Sequence, residues 1–302
     1  MTRKFLDNVK QGKNDLWRYI LTILMSFGVS EFVAIFYLII FMIFQQIFVG
    51  ENSSEMVIYF IIIFFSFSIS AIFLLLLLDV LHKRNLMSLV NAVDKYDVFG
   101  TAISWFKRIR WELFLKGFLI WSIFLIITET VAYLLYPSDF IFSLNLKNFL
   151  SLFIVFLITI PIQVTFEELF FRGYLNQGLS LKIKNPIIII TISSFIFGLG
   201  HFLNGDSILS MVLCTYSAFI VGIIWSITTL LDNGIEWSTG AHLANNFFAF
   251  VIIGGEGSLD NFGTLFSVKD SDPISGIIFS TVTLVIFLII LIIYKKDEIL
   301  KF

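Results

Sequence analysis

The sequence predicts an all-α, polytopic integral membrane protein of about eight transmembrane helices, and three observations carry that expectation. Of 302 residues, 58% are hydrophobic and 14% charged, with 37 phenylalanines. A water-soluble domain of this size cannot hide so much apolar surface. The apolar residues form eight continuous runs long enough to span, not alternating ones, which favours helices over a barrel. With the N-terminus inside, 18 of the 20 basic residues fall in inner segments, as the positive-inside rule requires.

In chain order the runs are 19–49, 56–81, 113–136, 149–180, 186–203, 208–231, 237–254 and 274–294. The first is about 46 Å long as a helix, so it must tilt, kink or protrude. Pro161 is expected to kink the fourth run. Segment 82–112 mixes basic residues with Leu, Val, Phe and Trp, and reads as an amphipathic helix in the inner interface. Outer loops keep only Lys147 and Lys269, and the loop around 255–272 is acidic (Glu256, Asp260, Asp270, Asp272). No repeat or linker divides the chain, so 1–302 reads as one membrane domain with a motif core at 149–254 and both termini in the cytoplasm. No secretory signal peptide is expected, because the first apolar run is too long. The net charge of −2 argues against nucleic acid as a partner, leaving lipid and a protein or peptide. The single cysteine, Cys214, excludes an internal disulfide and a thiolate metal cage.

Function concentrates in a few polar residues inside apolar runs, where an ionisable group costs several kcal/mol even on the mildest scales. They are Glu167, Glu168 and Arg172, then Phe197 and His201, then His242 and Asn246. Glu168 and Arg172 are four apart and can pair on one helix face. Glu167 points about 100° away and is left to face a cavity. Counting residues from the inner charges puts Glu167 and His201 at matching depth, with His242 shallower; a water-filled cavity open to the cytoplasmic side would join them. The chemistry this suggests is hydrolysis. A buried carboxylate takes a proton from water, while histidine and asparagine hold the water and stabilise an oxyanion. Zinc held by Glu167, His201 and His242 is the alternative, although the spaced-histidine zinc motif is absent.

Taken in order, Glu167-Glu168-Leu-Phe-Phe-Arg172, Phe197-Gly-Leu-Gly-His201 and His242-Leu-Ala-Asn-Asn246 resemble the three motifs of the CPBP (CAAX protease and bacteriocin-processing, Abi) family of intramembrane proteases. The resemblance implies a CAAX-protease-like helical bundle. In it Glu167 activates water, His201 helps to hold it, and His242 with Asn246 forms the oxyanion site. Glu168 and Arg172 support the architecture, and Phe197 accompanies His201. The implied activity is an endopeptidase acting on a membrane-associated protein or peptide in a bacterial inner membrane, with bacteriocin immunity or peptide maturation as its setting. Metal-free, glutamate-dependent catalysis and metal-assisted catalysis both remain open.

The competing readings are a non-proteolytic immunity or regulatory protein and, ranked last, an ion carrier. The remaining histidine, His82, reads as an interfacial residue at a helix end. Asp79 reads as snorkelling, and Glu31 and Glu129 carry no motif.

Overall fold

A computed structural model describes residues 4–29, 55–92, 102–205, 207–255, 263–269 and 273–295, with isolated residues between 32 and 43. A short α1 (Lys4–Asp7) leads to α2 (Leu16–Ile23), which passes into a π-helical stretch, Leu24–Val29. Then come α3 (Glu55–Val80), α4 (Met87–Val90), α5 (Ala102–Arg108), α6 (Trp111–Leu135) and strand β1 (Phe140–Phe142). Helix α7 (Leu146–Glu167) continues as a π-helix, Glu168–Leu175, and then as α8 (Asn176–Ser180). The remainder is α9 (Pro186–Leu199), α10 (Ile208–Asp232), α11 (Glu236–Phe247) with a π-helical end Phe248–Ile252, β2 (Ile253–Gly255), β3 (Phe266–Val268) and α12 (Pro273–Tyr294).

The boundaries follow local chemistry. Asn145, Asn185 and Ser207 each cap the first turn of the helix they precede, accepting from Asn148, Ile187 and Ser210 N–H. Pro186 begins α9, where its missing N–H costs nothing. Asn233, at φ 51°, ends α10 in the left-handed conformation that asparagine tolerates.

Among the described residues, six helices are long and apolar enough to cross a membrane: Ile62–Val80, Trp111–Leu135, Leu146–Ser180, Pro186–Asn204, Ile208–Asp232 and Ile274–Tyr294. The protein is multi-pass. The other two expected runs are 19–49 and 237–254. Most of 30–49 lies outside the described residues, leaving the apolar Leu16–Val29 helix. Run 237–254 becomes α11, a short helix whose buried side chains include Ser238, His242 and Asn246. It is a core element wrapped by the others.

Both ends of the bundle are tied. At one end β1 pairs antiparallel with β3, and β3 pairs parallel with β2, in the order β1-β3-β2. The positive-inside reading assigns these loops to one common side, and the sheet joins them. The acidic residues Glu256, Asp260, Asp270 and Asp272 lie outside the described residues. At the other end, Arg110 pairs with Glu236 at 2.5 Å and donates to the Asp232 carbonyl at 2.7 Å, while Lys295 reaches Asp232 at 3.2 Å.

Segment 82–112 is no single interfacial helix. Met87, Ser88, Leu89 and Val90 are all buried, and a Cβ on Gly173 would stand 2.8 Å from the Leu89 carbonyl oxygen. Leu89 and its neighbours are apolar enough to belong under the motif helix. Residues 93–101 are outside the described set. His82 is likewise buried rather than interfacial, held between the Lys13 carbonyl and the Tyr174 hydroxyl, both at 2.8 Å. Pro161 sits inside α7 without ending it. The α-helical geometry changes seven residues later, at Glu168.

Candidate active site

Helix α7 delivers Glu167 at its last position, and the π-helix begins at Glu168. Such stretches recur at functional sites because they re-aim side chains without breaking the helix. The stretch from Glu168 to Tyr174 is buried throughout. Glycines set the partner helices. A Cβ on Gly240 of α11 would collide with the Phe114 carbonyl of α6, and one on Gly117 of α6 with the Trp237 carbonyl. The two backbones therefore touch, as small residues allow in membrane bundles. Gly222 of α10 does the same for α9, where a Cβ would lie 3.2 Å from the Phe197 ring.

These contacts bring four of the expected residues together. Arg172 Nη1 lies 3.1 Å from Glu168 Oε1, with both side chains essentially inaccessible. His242 Nδ1 is 2.9 Å from the same Glu168 oxygen, and its Nε2 is 3.4 Å from Glu167 Oε2. A carboxylate only accepts, so Nδ1 of His242 carries a proton. The imidazole is thus strung between the two acids. Two carboxylates and one guanidinium make the buried cluster complete.

Aromatic rings wall it. The Arg172 guanidinium sits 4.2 Å over Phe197 and 5.3 Å from Trp225. Trp225 stacks on His242 at 4.3 Å and 29°. Phe197 meets His242 edge-on at 6.0 Å and His201 at 4.6 Å. His201 donates from Nδ1 to the Phe197 carbonyl at 2.9 Å, leaving Nε2 as its remaining nitrogen. It borders the cluster through Phe197. Asn246 is buried one turn beyond His242 and, among the described residues, has no hydrogen bond to either acid. Its neighbour Asn245 accepts from Trp121 Nε1 at 3.3 Å.

One expectation of depth needs correction. His242 is level with the acids, because α11 starts inside the protein. Glu236 at its first turn is 2% exposed, held by Arg110 and by Asn91 Nδ2 at 2.5 Å. Counting from Asp232 as a surface residue therefore places His242 too shallow. Among the described residues, Phe5, Leu6, Val9 and Met87–Val90 are buried at the end of the bundle away from the sheet. The partly exposed His201 and Asn245 lie toward the sheet end of the bundle, and Gln163 lies one turn from Glu167 on its sheet side.

The residues do not gather as a metal centre. Among the described residues, no group of three or more His, Cys, Asp or Glu is arranged to hold a metal ion. His242 spends Nδ1 on Glu168, and His201 stands behind Phe197, so no chemical step is routed through zinc here. Glu129 is partly exposed on α6, Asp79 is exposed at the end of α3, and Glu31 lies outside the described residues.

Sequence reasoning missed three participants. Gln163 donates to Glu167 Oε1 at 3.4 Å, and its signal was available: a polar residue one turn before the acid in an apolar run. Trp225 and the Arg110–Glu236 pair had no local signal, since their partners are remote in the chain.

Residues 147–248, from the start of α7 to the end of α11, match the family model described as type II CAAX prenyl endopeptidase Rce1-like. The matched segment contains every residue of the cluster. Over 202 residues the chain is 29% identical to the uncharacterized protein YyaK of Bacillus subtilis (strain 168), covering 66% of this chain and 68% of YyaK. No solved structure matches.

Proposed function

We propose that this multi-pass membrane protein, similar through residues 147–248 to Rce1-like CAAX prenyl endopeptidases, is a member of that family and hydrolyses peptide bonds of a membrane-associated protein or peptide with water activated by Glu167. The observation that carries the reading is His242 held between two buried glutamates, one of them paired with Arg172. Purely structural acids need no second carboxylate. Here Glu168 is spoken for by Arg172 and His242, while Glu167 Oε2 has no hydrogen-bond partner among the protein's described atoms.

In the proposed step, a water oxygen bonds to the scissile carbonyl carbon as Glu167 takes one of its protons. The developing oxyanion accepts from His242 and Asn246, with His201 lining the sheet side of the site. Glu167 then returns the proton to the leaving amine as the carbon–nitrogen bond breaks.

The likeness to a Bacillus protein supports a bacterial cell membrane, with both termini in the cytoplasm by the positive-inside argument. Bacteriocin immunity or peptide maturation is the setting carried over from the family resemblance. The test compares peptide termini in membranes and medium from cells carrying wild type or Glu167→Gln at equal protein level. Termini present only with wild type support hydrolysis. Identical profiles, with any cellular phenotype kept by the variant, favour a non-proteolytic immunity or regulatory role instead.

A further inference from the structure

Gln163 belongs to none of the three motifs, yet it lies one helical turn before Glu167 on the same face of α7. Its amide Nε2 donates to Glu167 Oε1 at 3.4 Å. The reverse amide orientation would set a carbonyl oxygen against a carboxylate oxygen, two acceptors face to face, so the assignment is dictated by chemistry. With Nε2 committed, the amide oxygen points elsewhere. Gln163 Oε1 and Glu167 Oε2 are both fully buried atoms with no hydrogen-bond partner among the described residues, His242 Nε2 standing 3.4 Å from the latter. Buried acceptors of this kind are satisfied by a donor. They belong to side chains one helical turn apart, each the second polar atom of a group whose other atom is already bonded to its neighbour.

A single water molecule has the two O–H donors that this pair of acceptors requires. A carboxylate alone holds a water by one contact and leaves it free to swing. A second fixed acceptor sets the direction of the oxygen lone pair. We infer that Gln163 Oε1 and Glu167 Oε2 together hold and orient the water that attacks the peptide carbonyl. The inference rests on the hydrolytic reading above. One water proton passes to Glu167 Oε2 as the oxygen–carbon bond forms. The other stays donated to Gln163 Oε1 and remains on the product carboxyl group. The amide nitrogen leaves with the proton that Glu167 returns. Gln163 is then a water-positioning residue, placed by the same helix that presents the base.

The experiment uses the purified full-length protein, crystallised in a lipid mesophase at a resolution that shows ordered water, as wild type and as Gln163→Met. The methionine keeps the side-chain length and removes both polar atoms. Cleavage is followed in parallel on a peptide spanning a junction that wild-type cells cut. The expected result is a water within hydrogen-bond reach of both oxygens in the wild type and not in Gln163→Met. The variant's kcat should fall about 10- to 100-fold at nearly constant KM, with thermal stability retained. A water that contacts Glu167 but not Gln163, or wild-type kcat in Gln163→Met, overturns the inference. A bridged water in a protein whose wild type yields no Glu167-dependent termini overturns the hydrolytic reading, and the attacking role with it.

Discussion

Replacing Arg172 with methionine strips the buried cluster of its permanent cation, and the structure sets the size of the effect. The guanidinium is 1% exposed and lies 3.1 Å from Glu168 Oε1. Coulomb's law at an effective dielectric of about 20 makes that attraction about 5 kcal/mol. Stacking 4.2 Å over Phe197 adds up to about 2 kcal/mol in a desolvated setting. Against both stands the desolvation of the guanidinium, which methionine avoids. Breaking a buried pair from one side therefore costs about 3–5 kcal/mol net, mostly because Glu168 stays buried without its partner. Methionine approximates the length of the stem, so little of the loss comes from a cavity. The double variant Arg172→Met/Glu168→Gln removes the stranded charge and should recover at least half of the loss. Reversible unfolding of purified protein in mixed micelles measures all three differences. A single variant within about 1 kcal/mol of wild type, or a double variant whose losses simply add, would refute the account of a coupled buried ion pair.

Gly240→Ala should destabilise by about 1–3 kcal/mol, because its Cβ meets the Phe114 backbone where no side chain can yield; an unchanged melting temperature in detergent would contradict the close α6–α11 contact. Stability should also depend on His82. Burial pushes its imidazole below the ordinary value, the Lys13 carbonyl opposes this, and Arg84 and Arg18 add to it. The sign follows from which state binds the proton first. The unfolded chain protonates near pH 6.5 while native His82 stays neutral, so the stability it contributes is intact above that pH and is lost as pH falls below it. The melting temperature of wild type should therefore fall more steeply between pH 7 and pH 5 than that of His82→Gln; parallel curves would count against a neutral His82 bridging Lys13 and Tyr174.

The bundle was legible in the sequence because its strongest signals are local. Continuous apolar runs mark spanning helices, and asymmetry of Lys and Arg marks their ends. The sheet between 140–142, 253–255 and 266–268 joins loops that the charge rule had already put on one side. Glu168 and Arg172 were legible as a pair because four residues on one helix meet whatever surrounds them. What failed depended on contacts between remote segments. Run 237–254 reads as helical from its apolar residues, but its place in the core beside α6 depends on the close approach of Gly117 and Gly240. His242 is deeper than a count from Asp232 suggests, because Arg110 and Asn91 hold Glu236 below the surface. Met87–Val90 looks interfacial by composition but is needed under Gly173. The orientation of the His242 ring rests on Glu168, a neighbour 74 positions away that no sequence window contains.

The central claim is that Glu167 makes water the nucleophile. Its most direct test is cleavage in 18O-enriched water by the purified protein in lipid nanodiscs, using a peptide that spans a junction cut only in wild-type cells. The account predicts one 18O atom in the new carboxyl terminus with wild type, and no product above background with Glu167→Gln of equal thermal stability. Labelled product formed at the wild-type rate by Glu167→Gln would contradict it.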